Sequence, residues 1–144
     1  MTQPDVQVYG KKNPNLPFHP AVRAGDFVFL SGQVAKDKDG NMVSGTIEAE
    51  THATILSCQR ILALAGCTLD DVVKATVYLE DARDFGRYNG VFKEYFPQGR
   101  LARTTVEARA AISTRIEIEM TPGSRWRNNA CDPFPTNIQP DSSQ

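Results

Sequence analysis

The 144-residue chain carries a net charge of -1 at pH 7, with 40% hydrophobic and 23% charged residues. This balance excludes a broad basic surface that would bind nucleic acid or an anionic membrane. The sequence contains no run of about 18 apolar residues, so it predicts no membrane-spanning helix. The length predicts a single domain over 1–144, with a core over about 18–121, an N-terminal arm over 1–17 and a C-terminal tail over 122–144.

The cysteines and histidines indicate the compartment and the need for metals. Cys58, Cys67 and Cys131 are odd in number and form no CxxC pair, which is typical of free thiols in a reducing compartment. The polar N-terminus lacks the apolar core of a signal peptide, so we expect a cytoplasmic protein. His19 and His52 do not combine with the cysteines at metal-ligand spacing, so we expect no metal.

The first half of the chain predicts an irregular arm, a strand and a helix. Residues 1–20 are rich in Pro, Asn and Lys and predict irregular structure. Asp26–Gln33 is aromatic and β-branched and predicts the first strand. Thr46–Ala65 predicts a helix, because Thr46 can cap its start and Gly66 is placed to stop it.

The second half predicts alternating strands and a helix. They are a strand at Val72–Leu79, a helix at Asp84–Phe96, and strands at Arg103–Arg109 and Arg115–Thr121. The overall order predicts an α+β fold with a mixed sheet. Two helices cover only one face, so we expect a neighbouring subunit to cover the other. The tail carries Trp126 and Phe134, and we expect it to pack against the body or a partner chain.

Charged side chains concentrate on one face of each of the last two predicted strands. With a period of two, Arg103 and Glu107 share a face of the first strand, and Glu117 and Glu119 share a face of the second. A solvated face of an antiparallel sheet explains this pattern without any function. A binding site is the alternative explanation.

The register of these two strands bears on whether the charged face is a solvated surface or a binding site. A hairpin that closes around Ile112 places Glu107 opposite Glu117, and two facing glutamates are unfavourable. In this register Arg103 lies roughly 13 Å along the strand from the residue opposite Glu117. If Arg103 and Glu117 serve one small ligand, a bulge or a subunit interface must therefore bring them together.

Four segments occur in a characteristic order over about Phe18–Thr121: FVFLSGQVA, LEDARDFGRYNGVFKEYF, ARTTVEA and IEIEM. Together they resemble the Rid family of YjgF/RidA-type enamine/imine deaminases. The resemblance implies a chorismate-mutase-like α+β fold, in which two helices pack on a mixed sheet, and a homotrimer or higher oligomer with clefts between subunits. It also implies hydrolysis of carboxylate-bearing enamines or imines of the 2-aminoacrylate/2-iminopropanoate type to a keto acid and ammonia, without a cofactor.

The resemblance assigns catalytic roles to two residues and a binding role to a third. Arg103 stands at the position of the arginine that binds the substrate carboxylate through two parallel hydrogen bonds. Glu117 stands at the position of the acidic residue that orients or activates the attacking water, and Glu119 is the alternative on the same face. Asn89 matches an asparagine near the cleft, where its amide either contacts the substrate or fixes the start of the helix.

Four further positions are expected to line the substrate site. Ser31 and Gly32 match the strand tip that enters the cleft, where glycine lets the backbone approach a ligand and the serine hydroxyl can bind it. A simple strand end is the alternative. Thr105 stands where many members carry a cysteine, so no mechanism that needs this thiol applies. Phe18 replaces a tyrosine that reaches the cleft, which suits a larger or more apolar imine.

Other functions remain open beside the general deaminase. A specialised deaminase of 2-aminomuconate in aromatic-compound degradation would use the same two residues. A non-catalytic ligand-binding or chaperone-like trimer would not need them, so the presence of both Arg103 and Glu117 favours chemistry. Endoribonuclease activity has been attached to the family, but the sequence shows no basic face with aromatic side chains for stacking bases.

Overall fold

Two β-sheets and two α-helices make up residues 6–123, the part of the chain that this computed structural model describes. The elements are β1 (Val6–Tyr9), β2 (Ala21–Ala24), β3 (Phe27–Leu30), β4 (Gln33–Val34), α1 (Ile47–Leu64), β5 (Val72–Leu79), α2 (Phe85–Tyr95), β6 (Ala102–Glu107) and β7 (Ile116–Pro122). None of the helices in these residues is long and apolar enough to cross a membrane.

The strands form a three-stranded and a four-stranded sheet. The first has the order β1-β2-β3 and is antiparallel, and the second has the order β4-β7-β5-β6. In the second sheet β5 pairs with β6 in parallel through the α2 crossover, whereas β4 and β5 pair antiparallel to β7. The predicted α+β class with a mixed sheet is therefore confirmed.

Helix α1 begins and ends as its sequence predicts. The Thr46 hydroxyl accepts a hydrogen bond of 3.1 Å from the Ala49 amide, which satisfies one of the free amides of the first turn. Gly66 has a φ of 73°, a left-handed conformation that glycine adopts without steric cost, directly after the helix ends. Ile55 and Leu62 are fully buried on the face that packs against the sheet.

The hydrophobic core lies between the helices and one face of the four-stranded sheet. Alternate residues of β7 and β5 fill it, namely Ile116, Ile118, Met120, Ala75, Val77 and Leu79. The opposite sheet face has no helix over it in the described residues and exposes Val106 of β6. Strand β3 of the three-stranded sheet exposes Phe27 and Phe29. Cover of these side chains by a neighbouring subunit stays a prediction.

The prediction of an irregular arm over residues 1–20 is wrong for Val6–Tyr9, whereas residues 10–20 contain no helix or strand. Val6–Tyr9 forms β1 and pairs with Ala21–Ala24, which the sequence analysis also missed. These strands have four residues each, and the exposure of β1 removes the apolar alternation that identifies longer strands. The strand predicted at Asp26–Gln33 is also divided, because β3 ends before Ser31 and β4 begins after Gly32.

The predicted hairpin between the last two strands is wrong. β5 lies between β6 and β7, so that Ala75 pairs with Arg103 on one side and with Met120 on the other. Glu107 is therefore not opposite Glu117. The α2 crossover places β6 parallel to β5 at the sheet edge, and β7 then pairs with the remaining edge of β5. The tail residues Trp126, Cys131 and Phe134 lie outside the described residues.

Candidate functional site

The predicted site residues divide between the two faces of the four-stranded sheet. Arg103 shares a row with Ala75 and Met120 and therefore points to the face that the helices cover. Glu117 pairs with Tyr78, one row out of phase, and points to the open face. Two strand spacings and three residues separate the backbones of Arg103 and Glu117, roughly 14 Å. A ligand of a few atoms cannot contact both side chains of one chain.

The first group, here called the arginine half-site, consists of Arg103, Thr105 and Tyr88. The Arg103 guanidinium lies over the rings of α2, at 4.8 Å from the centroid of Phe92, 5.2 Å from Tyr88 and 5.8 Å from Phe85. Cation–π attraction to these rings restrains the guanidinium. No carboxylate in residues 6–123 lies within ion-pair distance of it, so its donors are available to an anion from outside.

Thr105 and Tyr88 form a hydroxyl pair beside the guanidinium. Thr105 lies two residues after Arg103 on the same face of β6, and its hydroxyl is hydrogen-bonded to that of Tyr88. Tyr88 is fully buried. Burial raises the pKa of Tyr88, and the bond to Thr105 and the charge of Arg103 oppose this only in part. Asn89 follows on α2 and is half-buried.

The second group, here called the glutamate half-site, consists of Ser31, Gly32, Tyr78, Glu117 and Glu119. Gly32 lies so close to Glu117 that a β-carbon added to it would be 2.9 Å from the Glu117 Cδ and Oε2 atoms. Only glycine fits there without moving the carboxylate. The close approach expected at the strand tip is therefore present, and the group that approaches is a carboxylate of the same chain.

Ser31 connects the segment around Phe18 to the strand tip. Its hydroxyl donates a 2.7 Å hydrogen bond to the His19 carbonyl, and its amide donates one of 2.9 Å to the Pro20 carbonyl. The Ser31 hydroxyl proton is thus already used, which leaves its oxygen as an acceptor. Phe18, directly before this anchor, is 51% exposed.

The two glutamates of this half-site differ in their surroundings. Tyr78 donates a 2.9 Å hydrogen bond to Glu119 Oε1, whereas Glu117 accepts no hydrogen bond within residues 6–123. Partial burial, and secondly the charge of Glu119, raise the pKa of Glu117. The Glu119 hydrogen bond is the largest cause of the raised pKa of Tyr78. Glu117 is therefore the carboxylate better placed to exchange a proton with a ligand.

The sequence analysis missed both tyrosines of the site. Tyr88 recurs at helical spacing with Phe85, Phe92 and Phe96 of α2, a pattern that predicts helix packing alone. Tyr78 lies on the buried strand β5, and a period of two would have placed it on the same face as Thr76. A tyrosine within an apolar stripe is a usable signal, because its hydroxyl needs a partner when it is buried.

The described residues contain no group of three or more His, Cys, Asp or Glu side chains that could hold a metal ion. Cys58 and Cys67 are buried, and burial raises the pKa of the Cys58 thiol to about 12. Such a thiol stays protonated and inert at neutral pH.

The chain is similar to known proteins in its sequence and in its fold. A family model described as "Endoribonuclease L-PSP" matches residues 11–122. A RutC family protein of Pyrococcus horikoshii is 42% identical over 105 residues, which cover 72% of this chain and 83% of that protein. A human protein named 2-iminobutanoate/2-iminopropanoate deaminase is 36% identical over 105 residues, which cover 72% of this chain and 77% of that protein.

Solved structures agree on the fold. The crystal structure of a member of the YjgF protein family from Neisseria meningitidis superposes with a TM-score of 0.73 at 32% identity, covering 84% of this chain and 96% of that one. Yeast Mmf1 superposes with a TM-score of 0.78 at 24% identity, covering 83% of this chain and 99% of that one. The chorismate-mutase-like arrangement of two helices on mixed sheets is therefore confirmed.

Proposed function

The chain belongs to the YjgF/RidA family, whose model is described as endoribonuclease L-PSP, and on that premise we propose that it hydrolyses imines and enamines that carry a carboxylate. The products are ammonia and a keto acid. The observation that carries the proposal is the Arg103 guanidinium, which is restrained on three aromatic rings and has no carboxylate partner in residues 6–123. A fixed guanidinium without a partner suits a carboxylate ligand.

The chemistry follows from the two charged side chains. Arg103 holds the substrate carboxylate through two parallel hydrogen bonds, which fixes the adjacent C=N carbon. A water attacks this carbon while Glu117 accepts one of its protons. The C–O bond forms, the C=N bond becomes a single C–N bond, and the proton reaches the nitrogen. The second water proton then moves to the nitrogen, the C–N bond breaks so that ammonia leaves, and the C=O bond of the keto acid forms. No oxidant or reductant is required.

Both half-sites come together only between two copies of the chain. They lie on opposite sheet faces, carry opposite charges, and are too far apart to share a small ligand within one chain. The open face also exposes Val106, and the neighbouring strand β3 exposes Phe27 and Phe29; a second copy would cover these apolar side chains. We propose a homotrimer in which the arginine half-site of one subunit faces the glutamate half-site of the next.

Mixing two inactive variants tests this arrangement. Arg103→Ala and Glu117→Gln each disable a different half-site, so at substrate concentrations below KM each purified homo-oligomer should show at most about a hundredth of the wild-type rate. Subunits exchanged at equal amounts should recover about a quarter of the wild-type activity, because random assembly completes one cleft in four with both native residues. Keto acid release from an imine generated in situ is the measurement. A mixture as inactive as its parents, despite confirmed subunit exchange, would show that both residues act within one chain.

A specialised substrate is the second candidate, and Phe18 favours it. An exposed phenyl ring beside the strand tip adds apolar surface where a hydroxyl would otherwise select a small polar imine. Comparing hydrolysis of 2-iminopropanoate and 2-aminomuconate by wild type and Phe18→Tyr distinguishes the two. A preference for 2-aminomuconate that Phe18→Tyr reverses supports specialisation. Equal rates for wild type and variant on both compounds would remove Phe18 from the choice.

A further inference from the structure

The numbers of donors and acceptors determine the direction of the hydrogen bond between the Tyr88 and Thr105 hydroxyls. Tyr88 is fully buried, and within residues 6–123 its hydroxyl has Thr105 Oγ1 as its hydrogen-bond partner. A phenol hydroxyl donates one hydrogen, and a buried donor without an acceptor is rare in folded proteins. If Thr105 donated to Tyr88, the tyrosine hydrogen would have no acceptor in its buried surroundings. The pairing is therefore satisfied when Tyr88 donates and Thr105 accepts.

This direction decides where the Thr105 hydrogen goes. A threonine hydroxyl carries one donor and two acceptor sites. Once its oxygen accepts from Tyr88, its own hydrogen is free, and no acceptor in residues 6–123 receives it. Thr105 is half-exposed and lies on the same face of β6 as Arg103, two residues away. The free donor is thus next to the guanidinium.

We propose that Tyr88 is a positioning residue that fixes the Thr105 hydroxyl as an additional donor to the anion held by Arg103. This inference rests on the proposed function and deepens it, because it gives the arginine half-site a neutral donor beside its cation. Hydroxyls in a chain polarise one another, so the bond from Tyr88 strengthens the Thr105 donor. The raised pKa of Tyr88 agrees with a phenol that keeps its proton at neutral pH.

The arrangement predicts selection for a carboxylate. The guanidinium supplies two parallel donors, and Thr105 supplies a third from a different direction, so that a carboxylate with its several lone pairs satisfies them together. A neutral amide of the same shape would turn its own N–H donors toward some of these groups. Tyr88 contributes to this selectivity without touching the ligand, since its hydroxyl lies behind Thr105.

Binding of 2-oxobutanoate, the keto acid expected from 2-iminobutanoate, tests the inference without turnover. Calorimetry on the intact protein should give a dissociation constant about 3- to 10-fold higher for Tyr88→Phe and about 10-fold higher for Thr105→Val. Thr105→Ser, which keeps the hydroxyl, should bind nearly as wild type does. Tyr95→Phe is the matched control. It also removes a tyrosine hydroxyl from α2, but that hydroxyl is hydrogen-bonded to His52 and not to Thr105.

A double variant separates positioning from general structural support. Tyr88→Phe combined with Thr105→Val should bind no worse than Thr105→Val alone, because the tyrosine acts through the threonine hydroxyl. In turnover, both single variants should raise KM more than they lower kcat. Melting temperatures of all variants establish that the comparison is made between folded proteins.

The outcomes distinguish this inference from the proposed function. If Arg103→Ala abolishes binding while Tyr88→Phe binds like wild type, the carboxylate site stands and the positioning role is overturned. Additive losses in the double variant would also overturn it, since they would show that Tyr88 acts independently of Thr105. A wild-type protein that neither binds 2-oxobutanoate nor hydrolyses imines would overturn both.

Discussion

The two half-sites solve opposite problems with the same sheet. The arginine half-site places a cation under α2, where aromatic rings restrain it and no carboxylate of the described chain neutralises it. The glutamate half-site places Glu117 and Glu119 on the open face, where their charges repel and, among residues 6–123, only Glu119 receives a hydrogen bond. In the proposed mechanism the first half-site holds the anion and the second supplies the proton acceptor.

This difference shows how one chain can present complementary charges without neutralising them. Strand alternation separates Arg103 from Glu117 by a full sheet thickness, so they cannot form an ion pair within the chain. Such an ion pair would satisfy the guanidinium and lower the pKa of the carboxyl. Both effects would remove the properties that hydrolysis requires. In the proposed homotrimer, this separation within the chain preserves both properties until two subunits meet.

The largest effect is expected when the glutamate half-site is disabled. Glu117→Gln keeps the size of the side chain but removes the proton acceptor, so turnover should fall by about 100- to 10,000-fold, the usual contribution of general acid–base catalysis. Binding of 2-oxobutanoate to Arg103 should be largely retained. Glu94→Gln, on the outer surface of α2 near His52, is the matched control and should keep wild-type activity. Full activity of Glu117→Gln would remove Glu117 from the mechanism.

The next largest effect is expected when the arginine half-site is disabled. Arg103→Ala should lower kcat/KM on the order of 100-fold, because hydrogen bonds to a charged group are lost. The loss should appear mainly in KM and in the affinity for 2-oxobutanoate, in contrast to Glu117→Gln. Arg103→Lys keeps the charge without the planar pair of donors and should lie between the two.

Arg87→Ala supplies the control for the arginine variants. Arg87 lies on α2 and pairs with Asp84, so its loss removes a surface cation close to the half-site without touching it. Wild-type kinetics are expected. A loss comparable to that of Arg103→Ala would mean that the general field of the arginines, rather than the guanidinium on the ring stack, attracts the substrate.

Much of the fold could be predicted from the sequence because its main elements carry local signals. α1 has a capping threonine and a terminating glycine, and β5 is a continuous β-branched run. Arg103 and Glu117 were predicted through short segments with characteristic spacing. The structure limits how these two residues could act together, because they lie on opposite faces of the sheet.

The pairing of the last strands could not be predicted because it is not a local property. Alternation shows which side chains of one strand share a face, but it does not relate the faces of two strands until their neighbours are known. Here β5 separates β6 from β7, and this reverses the relation between Arg103 and Glu117 that a hairpin would give. The role of Tyr88 was hidden for a similar reason, since its partner Thr105 lies on another element.

The smallest effect is expected when the pKa of Glu117 in the glutamate half-site is shifted by removing the neighbouring charge. The pKa of Glu117 is raised first by burial and secondly by the charge of Glu119. As a proton acceptor Glu117 works only when ionised, so kcat/KM should rise with pH through this raised pKa. Glu119→Gln removes the second cause and leaves the first. The acid limb of the profile should therefore move to lower pH, but not to that of an ordinary glutamate.

The amide in Glu119→Gln still offers an oxygen to the Tyr78 hydroxyl, so the variant isolates charge from hydrogen bonding. Above the acid limb of both profiles, kcat/KM should differ between wild type and variant by only a few-fold. Profiles of kcat/KM against pH for wild type and variant are the measurement. An acid limb that stays in place would mean that burial alone sets the pKa of Glu117. A limb that disappears, with activity lost at every pH, would show that Glu119 is the proton acceptor and that Glu117 tunes it.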